Sequence, residues 1–318
     1  MTVGFILTGS IILCTLRWNA WFVMPSEPEW TGDTLPMHFT TFHDGILYDC
    51  QTTDTLAMVI LGDVHNTLEQ ADYRHIARQC PDMQCFAQLG DFVEREQFYY
   101  KQQLRHQLIG TPFDSVPVIV CPGNHEYTKG VHRQLPESWH QSFLLPDNGP
   151  AFGNGTTYYV DFRNMRFVVI DTEDPQLLSD YTRLNTWVKN TISSALQPWV
   201  VVMMHRPVYA SRQGRANPLI WLSMAHALRK ADIIFSGHDH TYARRGMTIQ
   251  EDDRAHEPVW IGVSSTTRAR TPKNHSRMDT IVQGGPFYEY LHVTEHELKI
   301  YSYPIDSACI DSIVLQKR

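Results

Sequence analysis

The sequence predicts an α/β fold of four layers: two mixed β-sheets packed face to face with helices outside, an αββα sandwich. Three observations predict it. Residues 55–120 alternate short apolar runs with helix-like segments, a β-α-β-α-β order that implies parallel strands joined by right-handed crossovers. From Pro258 onward the helical pattern stops and only strand-like runs follow. Finally, several apolar runs end in polar side chains of the types that bind ligands, and in open α/β sheets ligand sites lie at the carboxyl ends of strands.

In order along the chain, Val3–Leu16 is apolar and uncharged and is followed by Arg17. It is nearer a signal-peptide core than a span, which needs about 20 residues. Residues 1–24 are therefore expected to be a signal peptide or membrane anchor, with a first strand or helix of the fold as the alternative. Residues 25–54, rich in Pro, Thr, Asp and Gly, read as a linker carrying one short strand at Gly45–Tyr48; residues 55–318 form the main domain. Leu56–Leu61, Met83–Leu89 and Val116–Val120 are expected as buried parallel strands. Between them, Thr67–Gln79 is expected as a helix capped by Thr67, and Glu94–Ile109 as an amphipathic helix closed by Gly110 and Pro112. Tyr127–Gly155 has no periodicity and is expected to rim a site. Thr156–Phe162 and Met165–Thr172 form a hairpin across Arg163-Asn164. Leu177–Leu196 and Asn217–Lys230 are expected helices around the strand Trp199–Met204, and Asp232–Phe235 is a further strand. Val259–Ser264, Phe287–Thr294, Leu298–Tyr303 and Ser312–Gln316 are expected together in a second sheet, with Thr266–Gly285 a mobile basic loop.

Composition limits the functions available. With 42% apolar and 19% charged residues the chain is globular, and a net charge of −7 disfavours broad nucleic-acid binding. It leaves anionic substrates open, because a bound cation inverts the local field. Six cysteines occur without a Cys-x-x-Cys, which argues against a zinc ribbon; Cys80 and Cys85 either pair or remain free thiols. Asn154-Gly155-Thr156 and Asn274-His275-Ser276 match the glycan-acceptor pattern.

The chemistry lies at the strand tips: Asp63-x-His65, Gly90-Asp91, Gly123-Asn124-His125-Glu126, His205 and Gly237-His238-Asp239-His240. Carboxylates, an amide oxygen and imidazoles without thiolates suit Mn, Fe, Zn or Mg. Glycines before Asp63, Asp91, Asn124 and His238 permit sharp turns and close backbone approach. These five pieces, in this order, resemble the calcineurin-like metallophosphoesterase family over about residues 55–303. The resemblance implies two metal ions of Mn, Fe or Zn type: Asp63, His65 and His240 on the first, Asn124, His205 and His238 on the second, Asp91 bridging both. Two cations ~4 Å apart can deprotonate a bridging water and clamp phosphate oxygens for in-line displacement. His125 would assist the leaving group, which makes it and Asp91 the catalytic residues. Asn124, His125, Tyr242 and Arg244 would face a phosphate-ester substrate, while Glu126 and Asp239 would support the ligands.

Within that family the chain is most similar to the purple-acid-phosphatase-like branch. Tyr158-Tyr159-x-Asp161-Phe162, His205-Arg206-Pro207-x-Tyr209 and Gly237-His238-Asp239-His240-Thr241-Tyr242-Ala243-Arg244 carry that similarity. It departs where Glu94 stands in place of the branch's tyrosine ligand and where His65 replaces a small residue, so a coloured ferric tyrosinate site is not expected. The resemblance implies a phosphoesterase favouring monoesters, with a phosphodiesterase or a non-catalytic metal-binding scaffold as alternatives. Localisation is expected to be extracytoplasmic, exported or membrane-anchored, with cytoplasmic as the alternative.

Overall fold

The computed structural model describes residues 55–317 apart from 95–99, 130–132, 154, 176, 213–217, 247–256 and 274–277. The expectations for residues 1–54, including the anchor and the strand at Gly45–Tyr48, lie outside the described residues, as do Asn154 and Asn274 of the glycan-acceptor patterns. Among the described residues, no helix is long and apolar enough to cross a membrane.

The strands are β1 (Leu56–Leu61), β2 (Cys85–Gln88), β3 (Val118–Val120), β4 (Tyr158–Phe162), β5 (Met165–Ile170), β6 (Trp199–Met204) and β7 (Ile233–Ser236). They continue with β8 (Tyr242–Arg245), β9 (Val259–Gly262), β10 (Thr280–Val282), β11 (Phe287–Val293), β12 (Glu297–Pro304) and β13 (Asp311–Gln316). The helices are α1 (Gln70–Gln79), α2 (Tyr100–Leu108), the single turn α3 (Glu137–His140), α4 (Leu178–Ser193) and α5 (Pro218–Leu228). Six strands form one sheet in the order β13-β12-β11-β1-β2-β3, and seven form the other in the order β10-β8-β9-β7-β6-β5-β4. Both sheets are mixed: β1-β2-β3 and β5-β6-β7-β9 run parallel, while β11 is antiparallel to β1 and β4 to β5.

The layers follow from the period of two along each strand. Leu56, Met58 and Ile60 of β1 enter the core between the sheets, together with Trp199, Val201 and Met203 of β6. The alternate residues Ala57, Val59 and Leu61 pack under Tyr73 and Ile76 of α1 and Leu104 and Leu108 of α2. On the far side Val200, Val202 and Met204 pack under Leu184 and Val188 of α4 and Ile220 and Met224 of α5. Strands covered on both faces have no polar alternation, which is why they read as continuous apolar runs.

Several expectations are corrected. The block after Pro258 does not make up one second sheet: β9 inserts beside β7, whereas β11, β12 and β13 extend the first sheet from β1. A strand-only pattern signals antiparallel pairing but not which sheet edge receives it. Thr67 does not cap α1: its Oγ1 donates to Val64 O at 2.7 Å, and the Asp72 carboxylate accepts the Glu69 N–H at 2.8 Å to start the helix at Gln70. Glu94 is not in a helix but in a bend at the strand edge, and α2 is described from Tyr100. The Thr266–Gly285 segment contains β10, paired with β8. Tyr127–Gly155 contains α3, whose Trp139 is buried beside Phe143. Cys80 and Cys85 are buried free thiols.

Candidate metal centre

Parallel strands β1, β2 and β3 of one sheet and β6 and β7 of the other deliver the predicted residues to one place from their carboxyl ends. Asp63, His65, Asp91 and His240 place ligand atoms within 4.8 Å of one another, and so do Asp91, His205 and His238. The first group has His65 Nε2 and His240 Nε2 3.0 Å apart, with Asp63 Oδ1 3.6 Å from His240 Nε2 and Asp91 Oδ2 3.7 Å from His65 Nε2. In the second, His205 Nε2 lies 3.1 Å from His238 Nδ1, 3.2 Å from Asp91 Oδ2 and 3.3 Å from Asn124 Oδ1. Asp91 belongs to both.

The backbone that presents them is unusual. Asp63, His65, Asp91, His238 and His240 all have φ between 50° and 75°, a left-handed conformation that costs about 1–2 kcal/mol for each non-glycine residue. Such strain persists only where surrounding contacts hold it, and it concentrates at functional sites. The contacts are on hand: His238 N–H donates to Asp63 Oδ2 at 2.6 Å and His125 N–H to Asp91 Oδ1 at 2.7 Å. Glu126 binds no ligand side chain; its carboxylate accepts the N–H groups of Asp91 and Phe92 at 2.8 Å and of Gly123 at 2.7 Å. Asp239 Oδ2 accepts Ser211 Oγ–H at 2.7 Å, which holds the last motif to the loop after β6.

Burial sets the electrostatics. It pushes the Asp63 carboxyl well up, against the pull of His205 and with the help of nearby Asp91. For Asp91 burial acts upward too, but the charge and hydrogen bond of His205, then His125 and His65, outweigh it and the carboxylate stays ionised. His205 is the reverse: burial lowers it, yet Asp91 and then Asp63 and Glu173 raise it to about 10. Burial lowers His65 to about 4 and His240 to about 3, so these two rings are neutral with lone pairs to offer.

A metal fits this arrangement. Asp63 Oδ1 is buried and meets no hydrogen-bond partner. Two neutral imidazole nitrogens face each other at 3.0 Å beside it, and the donor set is oxygen and nitrogen throughout.

Of the other predicted residues, His125 stands at the rim, half-buried, with Nδ1 against the Glu94 carbonyl and Nε2 3.9 Å from Asp91 Oδ2. Tyr242 and Arg244 are not brought to the cluster: the tyrosine hydroxyl and Arg244 Nε both donate to Asp311 of β13, at 2.8 and 2.7 Å. The site has further members that sequence reasoning did not single out. Arg206 Nη1 lies 3.0 Å from His238 Nε2, and its guanidinium, like that of Arg133, is paired with the buried Glu173. Arg268 pairs with Glu94, and its carbonyl faces His240 Nδ1 at 3.1 Å. Arg206 could have been noticed within His205-Arg206-Pro207; the partners of Glu173 and Arg268 are remote in sequence and carry no local signal.

Two sheets meeting over a carboxylate–imidazole cluster define a metal-binding α/β sandwich with its site at the strand tips. The chain belongs to the calcineurin-like phosphoesterase family, whose model matches residues 56–242. It is 25% identical to purple acid phosphatase 23 of Arabidopsis thaliana over 251 residues, 75% of this chain and 52% of that protein. It is also 25% identical to acid phosphatase type 7 of Mus musculus over 41% of this chain and 33% of that one. Thus the chain spans about half of one of these relatives and a third of the other. In three dimensions it resembles the purple acid phosphatase PPD1 of yellow lupin, with a TM-score of 0.67 at 18% identity, covering 84% of this chain and 54% of that one. It also resembles GAP50, the anchor in the inner membrane complex of Plasmodium, with a TM-score of 0.60 at 12% identity over 83% and 89% of the two chains. At these identities the likeness concerns the fold.

Proposed function

We propose that the protein is a metal-dependent phosphoric ester hydrolase acting on phosphomonoesters. The observation that carries the reading is the sharing of Asp91 between two ligand groups: Asp63, His65 and His240 on one side, Asn124, His205 and His238 on the other. Each group would hold one cation of Mn, Fe or Zn type. A pair of such ions supplies a strong nucleophile from water at neutral pH and a clamp for phosphate oxygens.

This chain's own residues do the rest. Asp91, common to both groups, would be held by both sites. His125 is tethered through its backbone to Asp91 and through Nδ1 to the Glu94 carbonyl, so Nε2 is the atom free to exchange a proton with the leaving oxygen. The Asn124 side chain stands beside His205 at the rim, where it would also meet a phosphate oxygen. Tyr242 and Arg244 are assigned no substrate contact here, because Asp311 already engages both. The preference for monoesters is supported by the acid phosphatases among the relatives, and export would agree with the apolar segment at residues 3–16.

The test is hydrolysis of an aryl phosphate and of an aryl phosphodiester by purified protein, with metal analysis on the same sample. Activity should require Mn, Zn or Fe, disappear with a chelator, and fall about a hundred- to a thousandfold in Asp91→Asn, the scale of losing a group that stabilises the transition state. Turnover of the diester alone would replace the monoester reading. Metal bound without turnover of either ester would make the protein a scaffold.

A further inference from the structure

Metal-binding histidines need their outer ring nitrogen held, because that contact fixes tautomer and ring orientation. Two of the four histidines in the cluster have an acceptor there: His205 Nδ1 lies 2.9 Å from Leu89 O and His240 Nδ1 3.1 Å from Arg268 O, whereas His238 Nε2 faces a donor, Arg206 Nη1, at 3.0 Å. His65 differs. Its Nε2 faces the first group, and its Nδ1 is buried with no hydrogen-bond partner. The nearest acidic group is the Glu94 carboxylate, with Oε2 3.7 Å from that nitrogen, beyond hydrogen-bond reach.

We propose that Glu94, clamped by Arg268, is a positioning residue for the first metal site: its carboxylate takes the Nδ1–H of His65 and so turns that ring's Nε2 onto the cation. The inference rests on the metal-binding reading above. Glu94 is one-third exposed, so a small rotation of its side chain closes the gap. Its carboxylate is not needed by His125, whose Nδ1 already meets the Glu94 backbone carbonyl. One residue thus serves two histidines, with its main chain on His125 and its side chain on His65.

Arg268 makes the arrangement more than a surface pair. Its guanidinium binds Glu94 while its own carbonyl faces His240 Nδ1, so both histidines of the first group are steadied from one position. The segment around it is fastened at either end. Gly62 N–H donates to Ser265 Oγ at 3.1 Å and Thr267 N–H to Thr67 Oγ1 at 3.2 Å, beside the first motif. Arg270 N–H donates to His240 O at 3.1 Å and Thr241 Oγ1–H to Arg270 O at 2.9 Å, beside the last. An ion pair as exposed as Glu94–Arg268 contributes little to stability, so its removal can be read at the metal without unfolding the chain.

The experiment is titration of the chelator-stripped full chain with Mn²⁺, followed by calorimetry. Wild type should bind in two steps. Glu94→Ala should weaken one step by about 10–100-fold and leave the other unchanged, with an unaltered melting temperature of the metal-free form. Arg268→Ala should weaken the same step by less, and Glu94→Gln, which keeps an acceptor but no charge, should recover part of the loss. In a His65→Ala background, Glu94→Ala should have no further effect, because the two act through one contact. Unchanged affinity in both Glu94→Ala and Arg268→Ala, or a loss that persists without His65, overturns the inference while the metal reading stands. Failure of wild type to bind metal overturns that reading, and this inference with it.

Discussion

Glu126 sits directly after His125 and contacts no ligand side chain, yet backbone N–H groups from two loops converge on its carboxylate. Burial, helped by Asp91 and opposed by those N–H groups, raises it to about 7. Its work is to join the turn after β2 to the turn after β3, which places Asp91 opposite Asn124. Replacing it by Gln swaps one acceptor for an amide that points donors at donors, and leaving buried groups unsatisfied costs about 1–3 kcal/mol. Glu126→Gln should therefore lower unfolding stability by that amount in a urea titration of the metal-free protein. A change below a few tenths would show that the carboxylate is not needed there. The residue types at the strand tips were legible because carboxylates and imidazoles so close to buried runs have few packing explanations. The roles of Arg268 and Glu173 were not, because what defines them is contact across the fold, as Glu94 and Arg268 lie 174 positions apart.

Elements matter here chiefly through how they end. Beneath the cluster the turns after β2 and β3 touch backbone to backbone: a Cβ on Gly90, which has φ 86°, would lie 2.5 Å from Gly123 N, and one on Gly123 would lie 2.5 Å from Asp91 N and overlap its Oδ1. Neither position can give way without moving a ligand. Gly123→Ala should keep the far-ultraviolet circular dichroism of the parent, lose metal affinity at both steps, and lose hydrolysis with it. Retained two-step binding would show that the turn relaxes around the methyl group. Strand positions were readable from the sequence, since a run buried on both faces looks the same whichever sheet it enters. Helix starts were less so: Thr67 has cap chemistry but spends it on a turn, and Glu94 suits a first helical turn but is held at the site by Arg268 and His125.

Across the whole molecule, the two sheets are joined by polar contacts as well as by the apolar core. Asp311 of β13 reaches Tyr242 and Arg244 on the opposite sheet, while within its own sheet the fully buried Glu289 of β11 accepts from Ser302 Oγ of β12. Burial, and then Asp311, raises the Glu289 carboxyl to about 8 against its hydrogen bond from Ser302. The folded chain therefore holds this proton up to about 8, whereas the unfolded chain releases it near 4.5. Between those values the folded state binds more protons, so this group's contribution makes stability fall as pH rises, by about 1.4 kcal/mol per unit, and level off above. Glu289→Gln cannot ionise and should gain on the parent from pH 5 to pH 8 in paired denaturation curves; a constant difference would place the proton elsewhere. The sandwich itself was evident in the sequence, but not the destination of its last strands, because a hairpin's pattern is identical on either sheet. That destination shapes how the chain is made. β1 lies between β2 and β11, so on the ribosome one of its edges stays unpaired until residues 287–293 emerge. A nascent chain must shield that apolar edge until β11 has been made, and one stalled before β11 would offer it to other chains.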